Sequence, residues 1–174
     1  MKTRIYGVEI DFRKKTHNSF PADVIAVHAR LLDVCASYQE LVVIRAKKHI
    51  YVLATGQSFE PLAEIVMPYA QNKNSMNVSS SSEEAVAWLL DIANGNRWPD
   101  VEADRLQNVI TDATVMAKEM GCLGKELFPI MTKAWKDSNP GEKVYQEQSS
   151  RTYLKGLFNY LTLKDFDFPY TSSN

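Results

Sequence analysis

Apolar residues in this chain follow a period of two only near its start, and from about residue 58 onward they follow helical spacing. In RIYGVEIDF, residues 4–12, Val8, Ile10 and Phe12 alternate with Glu9 and Asp11. That period puts apolar side chains on one face of a strand and carboxylates on the other. Gly7 marks a bulge or a close backbone approach. Further on, Leu41-Val42-Val43-Ile44 and Ile50-Tyr51-Val52-Leu53 are short runs dense in β-branched and aromatic residues. Separated by a polar stretch, they predict a hairpin over about 40–55.

Between these strands Ser19-Phe20-Pro21 has the form of a helix entrance, a serine cap followed by a proline whose missing N–H costs little there. Val24, Ile25, His28, Leu31, Leu32, Cys35 and Tyr38 then recur at helical spacing, predicting a helix over 21–38. Ser58 and Pro61 open a short helix that Pro68 closes. The run QNKNSMNVSSSS, residues 71–82, predicts a polar surface loop. Ser81 and Glu84 match a capping box ahead of an almost wholly apolar helix, with Gly95 at its end. A long helix ends near Met120 at Gly121, and another covers about 125–137 with Pro129 near its start. Asn139-Pro140-Gly141-Glu142 predicts a turn, and a last helix begins at Ser149 or Ser150.

The expected architecture is a single α+β domain over 1–174. It has a three-stranded antiparallel sheet (about 3–12, 40–46 and 49–55) packed by five or six helices, with a helical C-terminal two thirds. The 174-residue length and 45% hydrophobic content suffice for one core without metal or disulfide staples. Cys35 and Cys122 stand apart in sequence and form no metal-knuckle spacing, which predicts small buried thiols in a reduced, cytoplasmic protein. The first residues lack the apolar core of a secretory leader, and no stretch is long and apolar enough to span a bilayer.

Charge is unevenly divided, although the net value is only -1. Residues 1–57 carry nine Lys/Arg against five Asp/Glu, and residues 58–174 carry eleven against sixteen. Such a dipolar chain can orient a charged partner, but it lacks the strongly basic balance of a dedicated nucleic-acid binder.

No glycine-rich phosphate loop, HExxH pair, calcium loop, GxSxG elbow or zinc-deaminase signature is present in the sequence. No metal or other cofactor is therefore expected. Four weaker patterns remain. Glu9 and Asp11 lie on one side of a strand, where they could share Mg²⁺ near Lys47, Lys48 and His17 to act on a phosphate-containing substrate. Alternating acids on a wet strand face explain the same residues through solubility alone. The histidines His17, His28 and His49 show no convergent spacing, and His28 in an apolar stripe is expected as a core residue with a hydrogen-bonded ring.

Arg13, Lys14, Lys15, Arg45, Lys47 and Lys48 could line one sheet edge and touch nucleic-acid phosphates, although lysines on an edge also discourage strand pairing. Glu83, Glu84, Asp91, Asp100, Glu102, Asp104 and Asp112 fall within thirty residues that contain only Arg97 and Arg105 as counter-charges. Several of these acids complement helix starts. With Trp88 and Trp98 they also predict an anionic, aromatic surface for a basic protein partner.

The primary expectation is a non-enzymatic protein-interaction domain of the inhibitor, immunity or adaptor type. Its contacts would be Trp88, Trp98, Glu102 and Asp104, together with Phe166, Phe168 and Tyr170 near the C-terminal end.

Overall fold

In a computed structural model that describes residues 3–12, 20–46, 48–69 and 76–138, the chain folds as an α+β domain around a four-stranded antiparallel sheet. The strands are β1 (Arg4–Asp11), β2 (Glu40–Arg45), β3 (His49–Gly56) and β4 (Met76–Val78), in the order β2-β3-β1-β4. The helices are α1 (Phe20–Asp33), α2 (Glu60–Val66), α3 (Ser82–Ala93), α4 (Ala103–Glu119) and α5 (Leu127–Asp137). Short 3-10 turns follow α1 at Cys35–Ser37 and α2 at Met67–Tyr69. No described helix is long and apolar enough to cross a membrane.

The sheet is covered on both faces. Tyr6, Val8, Ile10 and Phe12 of the first strand segment join Leu41, Val43, Ile50 and Val52 in a cluster with Val24, Val27 and Leu31 of α1 and Leu62 and Val66 of α2. The alternate residues Val42, Ile44, Tyr51 and Leu53 meet Ala85, Leu89 and Ile92 of α3, Leu106 and Ile110 of α4, and Leu127 and Met131 of α5. Each fully enclosed aliphatic side chain contributes about 1.5–3 kcal/mol relative to leaving it in water. Every residue of β3 is buried, which accounts for its nearly unbroken apolar run.

This arrangement revises two expectations. The sheet gains a fourth strand, because Met76–Val78 within the predicted polar loop pairs antiparallel with Val8–Ile10. The face of β1 expected to be wet is also enclosed, because α3 and the segment after it pack over that side. Gly7 shows how closely. A Cβ there would lie 2.5 Å from the Tyr51 hydroxyl and 2.9 Å from Ala85 Cβ. The pairing of β1 with β3 runs unbroken through Gly7, so the residue serves a close approach rather than a bulge.

Local signals place the helix ends. Ser81 Oγ accepts from Glu84 N at 3.1 Å, as a capping box requires, while the Glu84 carboxylate accepts from Ser80 N and Ser80 Oγ. Gly95 and Gly121 take positive φ of 79° and 70° just after α3 and α4, a conformation that costs a residue with a Cβ. Pro129 sits in the first turn of α5, where no hydrogen bond is lost. The predicted turn at 139–142 and the helix beginning at 149 or 150 lie outside the described residues.

The cysteines also depart from expectation. Cys35 and Cys122, 87 residues apart, are joined as a disulfide with their Cα atoms 6.3 Å apart. The Leu41 amide donates to the Cys122 carbonyl over 2.8 Å, which sets the turn after α4 against the start of edge strand β2. The bond thus ties the connection leaving α1 to the turn leaving α4. It also removes the cysteine-based reason for placing the chain in a reducing compartment.

Candidate functional site

Strand register brings polar residues together at one end of the sheet. Asp11 lies opposite His49, and Glu9 lies opposite Tyr51 on one side and Asn77 on the other. The alternation of β1 turns Glu9 and Asp11 toward the α3 side. There the chain leaving α3 folds over them, with the Asn96 and Arg97 amides donating to the Asp91 carbonyl.

Glu9 is 8% exposed and both its oxygens are engaged. Arg97 Nε donates to Oε2 over 2.8 Å, and Arg97 Nη2 donates to Oε1 over 3.1 Å. Trp98 Nε1 donates to Oε2 over 3.0 Å and Asn77 Nδ2 to Oε1 over 3.1 Å. The guanidinium also lies over the Trp88 ring, 4.2 Å from its centroid. A carboxylate this enclosed is costly without partners, and here a bidentate cation and two neutral donors offset its desolvation.

Beside it stands His49, 1% exposed, whose ring stacks on Trp98 with centroids 4.8 Å apart and planes 14° from parallel. His49 Nε2 lies 2.8 and 3.0 Å from the two oxygens of Asp100. His49 Nδ1 lies 4.0 Å from an Asp11 oxygen. The imidazole is buried and the Asp100 side chain is 34% exposed, so the histidine holds a carboxylate that faces outward.

Asp100 opens onto a cleft of about 390 Å³ lined by Ala46, Lys48, Asp100, Val101, Glu102, Arg105 and Val109. Its floor is aliphatic, and Lys48, Asp100, Glu102 and Arg105 are exposed around it. Glu102 is the residue preceding α4 and makes no capping hydrogen bond with its side chain.

The residues singled out from sequence separate as follows. Glu9 and Asp11, which the weaker enzyme reading paired around Mg²⁺, go to different partners. Among the described residues no group of three or more His, Cys, Asp or Glu could hold a metal ion. Trp98 is 1% exposed and Trp88 half-buried beneath Arg97, so neither stands out as a bare aromatic anchor. Glu102, Asp104, Arg45 and Lys48 are exposed. Arg13, Lys14, Lys15, His17, Lys47, Phe166, Phe168 and Tyr170 lie outside the described residues.

His28 is half-buried on α1, and its Nε2 has no hydrogen-bond partner among the described residues. Burial, then the Arg45 charge, lowers its proton affinity. The backbone and hydroxyl of Ser80 hold the Glu84 carboxyl below its ordinary range. Glu40 is pushed the other way by burial, against the opposing pull of the Leu127, Glu126 and Gly124 amides.

Sequence reasoning missed Arg97 as the partner of Glu9 and Asp100 as the partner of His49. The signal available was the sharp turn Asn94-Gly95-Asn96 before Arg97-Trp98-Pro99-Asp100, which sends a cation, an indole donor and a carboxylate back over the sheet.

No protein-family model matches this chain, and no curated protein matches it. Among solved structures, glutamyl-tRNA reductase from Methanopyrus kandleri aligns at a TM-score of 0.58 with 16% sequence identity. The alignment covers 76% of this chain and 33% of that protein, so the chain corresponds to about a third of the enzyme's length. At that identity the likeness concerns the fold alone.

Proposed function

We propose that this chain is a protein-interaction domain that receives a basic side chain of its partner in the cleft between Lys48 and α4. The observation that carries the reading is the presence of two exposed carboxylates, Asp100 and Glu102, beside an aliphatic floor of Ala46, Val101 and Val109. An arginine or lysine of the partner would lay its stem on that floor and its charge against the carboxylates. Asp104, exposed in the first turn of α4, extends the anionic surface. His49 fixes Asp100 before binding, so less side-chain freedom is lost on association. The inhibitor, immunity or adaptor role expected from sequence is retained within this reading.

The His49–Asp100 pair favours a second reading, an enzyme acting on a phosphate-containing ligand. Lys48 and Arg105 would hold the anion, and Asp100, oriented by His49, would act as the base. Glu9 has no part in it, because Arg97 and Trp98 engage its oxygens.

One NMR experiment tests both. The chain is titrated at low salt with Arg- and Lys-containing peptides and, separately, with inorganic phosphate. The interaction reading expects saturable peptide-induced shifts at Val101, Glu102 and Val109 that are lost in Glu102→Gln. Saturable phosphate shifts at Lys48 and Arg105, with none from the peptides, would transfer support to the second reading. Unmoved cleft resonances in both titrations would sink both.

A further inference from the structure

The bond between Cys35 and Cys122 is unequal at its two ends. Cys35 is half-buried in the turn that follows α1, whereas Cys122 is 1% exposed. Val34 and Ser37, close to Cys35 on both sides, line an open groove of about 620 Å³ between α1 and α2. Arg30, Asp33, Ser58, Glu60 and Glu64 complete much of its wall. Cys35 itself does not line that groove, so it is the unequal burial of the two residues that distinguishes the ends of the bond.

The turn bearing Cys122 is also held by contacts that do not involve sulfur. Its amide donates to the Ala117 carbonyl over 2.8 Å, and its carbonyl accepts from Leu41. Four residues on, the Glu126 and Leu127 amides donate to the Glu40 carboxylate. Cys122 Sγ lies 3.6 Å from the Met120 carbonyl, an acceptor in place for a thiol proton. The neighbourhood can therefore keep its shape with the sulfurs apart.

We infer that Cys35 is a thiol-exchange site for a small-molecule thiol of the glutathione type, and that Cys122 is its resolving partner. The small thiolate attacks Cys35 Sγ, forming a mixed disulfide there as the Cys35–Cys122 bond breaks. The displaced electron pair leaves on Cys122 Sγ, which takes up a proton and turns to the Met120 carbonyl. A second small thiolate then attacks the sulfur of the bound small molecule, releasing the Cys35 thiolate, which is protonated. The protein disulfide is reduced to a dithiol while two small thiols are oxidised to their disulfide. In the reverse direction an oxidised small thiol captures Cys35, and Cys122 displaces it to remake the bond. The modification site is thus the half-buried sulfur, and the enclosed one acts as leaving group and nucleophile.

The test uses the full chain under native conditions, with glutathione, glutathione disulfide and an alkylating probe, followed by peptide mass spectrometry. Native reduction is expected to rise in rate with glutathione concentration while the folded circular dichroism signal persists. In the reduced wild-type chain, Cys35 is expected to be alkylated at least roughly tenfold faster than Cys122. Cys122→Ser treated with glutathione disulfide is expected to accumulate a stable adduct on Cys35, and Cys35→Ser to stay unmodified while folded. Labelling within the wild-type chain keeps the test decisive if either variant fails to fold. Equal alkylation of the two cysteines, a glutathione adduct on Cys122, reduction that proceeds only as the chain unfolds, or two thiols that never pair under oxidation would each overturn the assignment.

Discussion

The indole N–H of Trp98 donates to the Glu9 carboxylate over 3.0 Å, although 89 positions separate the two residues in sequence. The contact joins the middle of the first strand to the loop after α3, and Arg97 closes on the same carboxylate from the adjacent position. The His49 ring stacks on the other side of this arrangement, against Trp98. The polar end of the sheet is thereby built around one buried charge.

Removing one partner of that charge is expected to cost more than a surface ion pair would. Glu9→Ala leaves Arg97 without its bidentate acceptor and Trp98 Nε1 without a partner, and a loss of about 2–4 kcal/mol in unfolding free energy is expected. Arg97→Met should fall at the lower end, since the Arg97 side chain is 22% exposed and part of its contribution is screened by water. Urea unfolding of both variants and the double variant measures the coupling. A coupling energy near zero would refute the pairing.

Gly7 is a steric position. Gly7→Ala places a methyl against the Tyr51 hydroxyl and Ala85 Cβ, and overpacking of this kind costs about 1–3 kcal/mol. Tyr51→Phe removes the hydroxyl that also donates to the Ala85 carbonyl, so alone it should destabilise. Combined with Gly7→Ala it should cost less than the sum of the two single changes. Thermal melts of the four chains decide this, and strict additivity would count against the contact.

Glu40 gives the chain a pH dependence of definite sign. Burial raises its folded pKa above the ordinary 4.5, so the folded state binds this proton more tightly than the unfolded chain does. Its contribution is complete below the ordinary carboxylate value and is lost as pH rises through the raised one. Relative to wild type, Glu40→Gln should therefore gain stability as pH rises across that window, because the amide cannot ionise. Denaturant midpoints of both chains at several pH values provide the comparison, and a pH-independent difference would rule it out.

The disulfide should add stability through the unfolded chain. A cross-link between residues 87 apart lowers the entropy of the unfolded ensemble by about 4–5 kcal/mol at room temperature in the loop-closure treatment, and typical measured values run about 2–4. The reduced, alkylated chain should still fold, with a lower melting temperature at unchanged far-ultraviolet circular dichroism below the transition. Identical melting of the oxidised and reduced chains would contradict the cross-link.

The period of two in β1 and the β-branched runs of β2 and β3 made the three long strands readable, because a strand's own side chains record which face is enclosed. The ends of α3 and α4 were readable for the same local reason, whereas the first helix, expected over 21–38, stops at Asp33 and gives way to a 3-10 turn. Ser81 with Glu84, Gly95 and Gly121 act within one turn of the residues they terminate. β4 was hidden, since Met76-Asn77-Val78 is short and polar in context and becomes a strand only when β1 offers its edge.

The candidate site was legible by residue type and not by partnership. Glu9, Asp11 and His49 drew notice as ionisable groups, but alternation alone could not say whether the second face of the sheet met water or helix α3. A carboxylate's role depends on what approaches it from distant parts of the chain, and Arg97, Trp98 and Asp100 arrive only after the turn at Gly95 folds back. The same limit held for Cys35 and Cys122, whose spacing carries no record of the 6.3 Å between their Cα atoms. Sequence by itself determined the three long strands and the apolar stripes of the helices, because these rest on interactions between near neighbours. Only tertiary structure decided which charges are buried, which pairs form and which sulfur is enclosed, because those follow from long-range packing that local pattern does not encode.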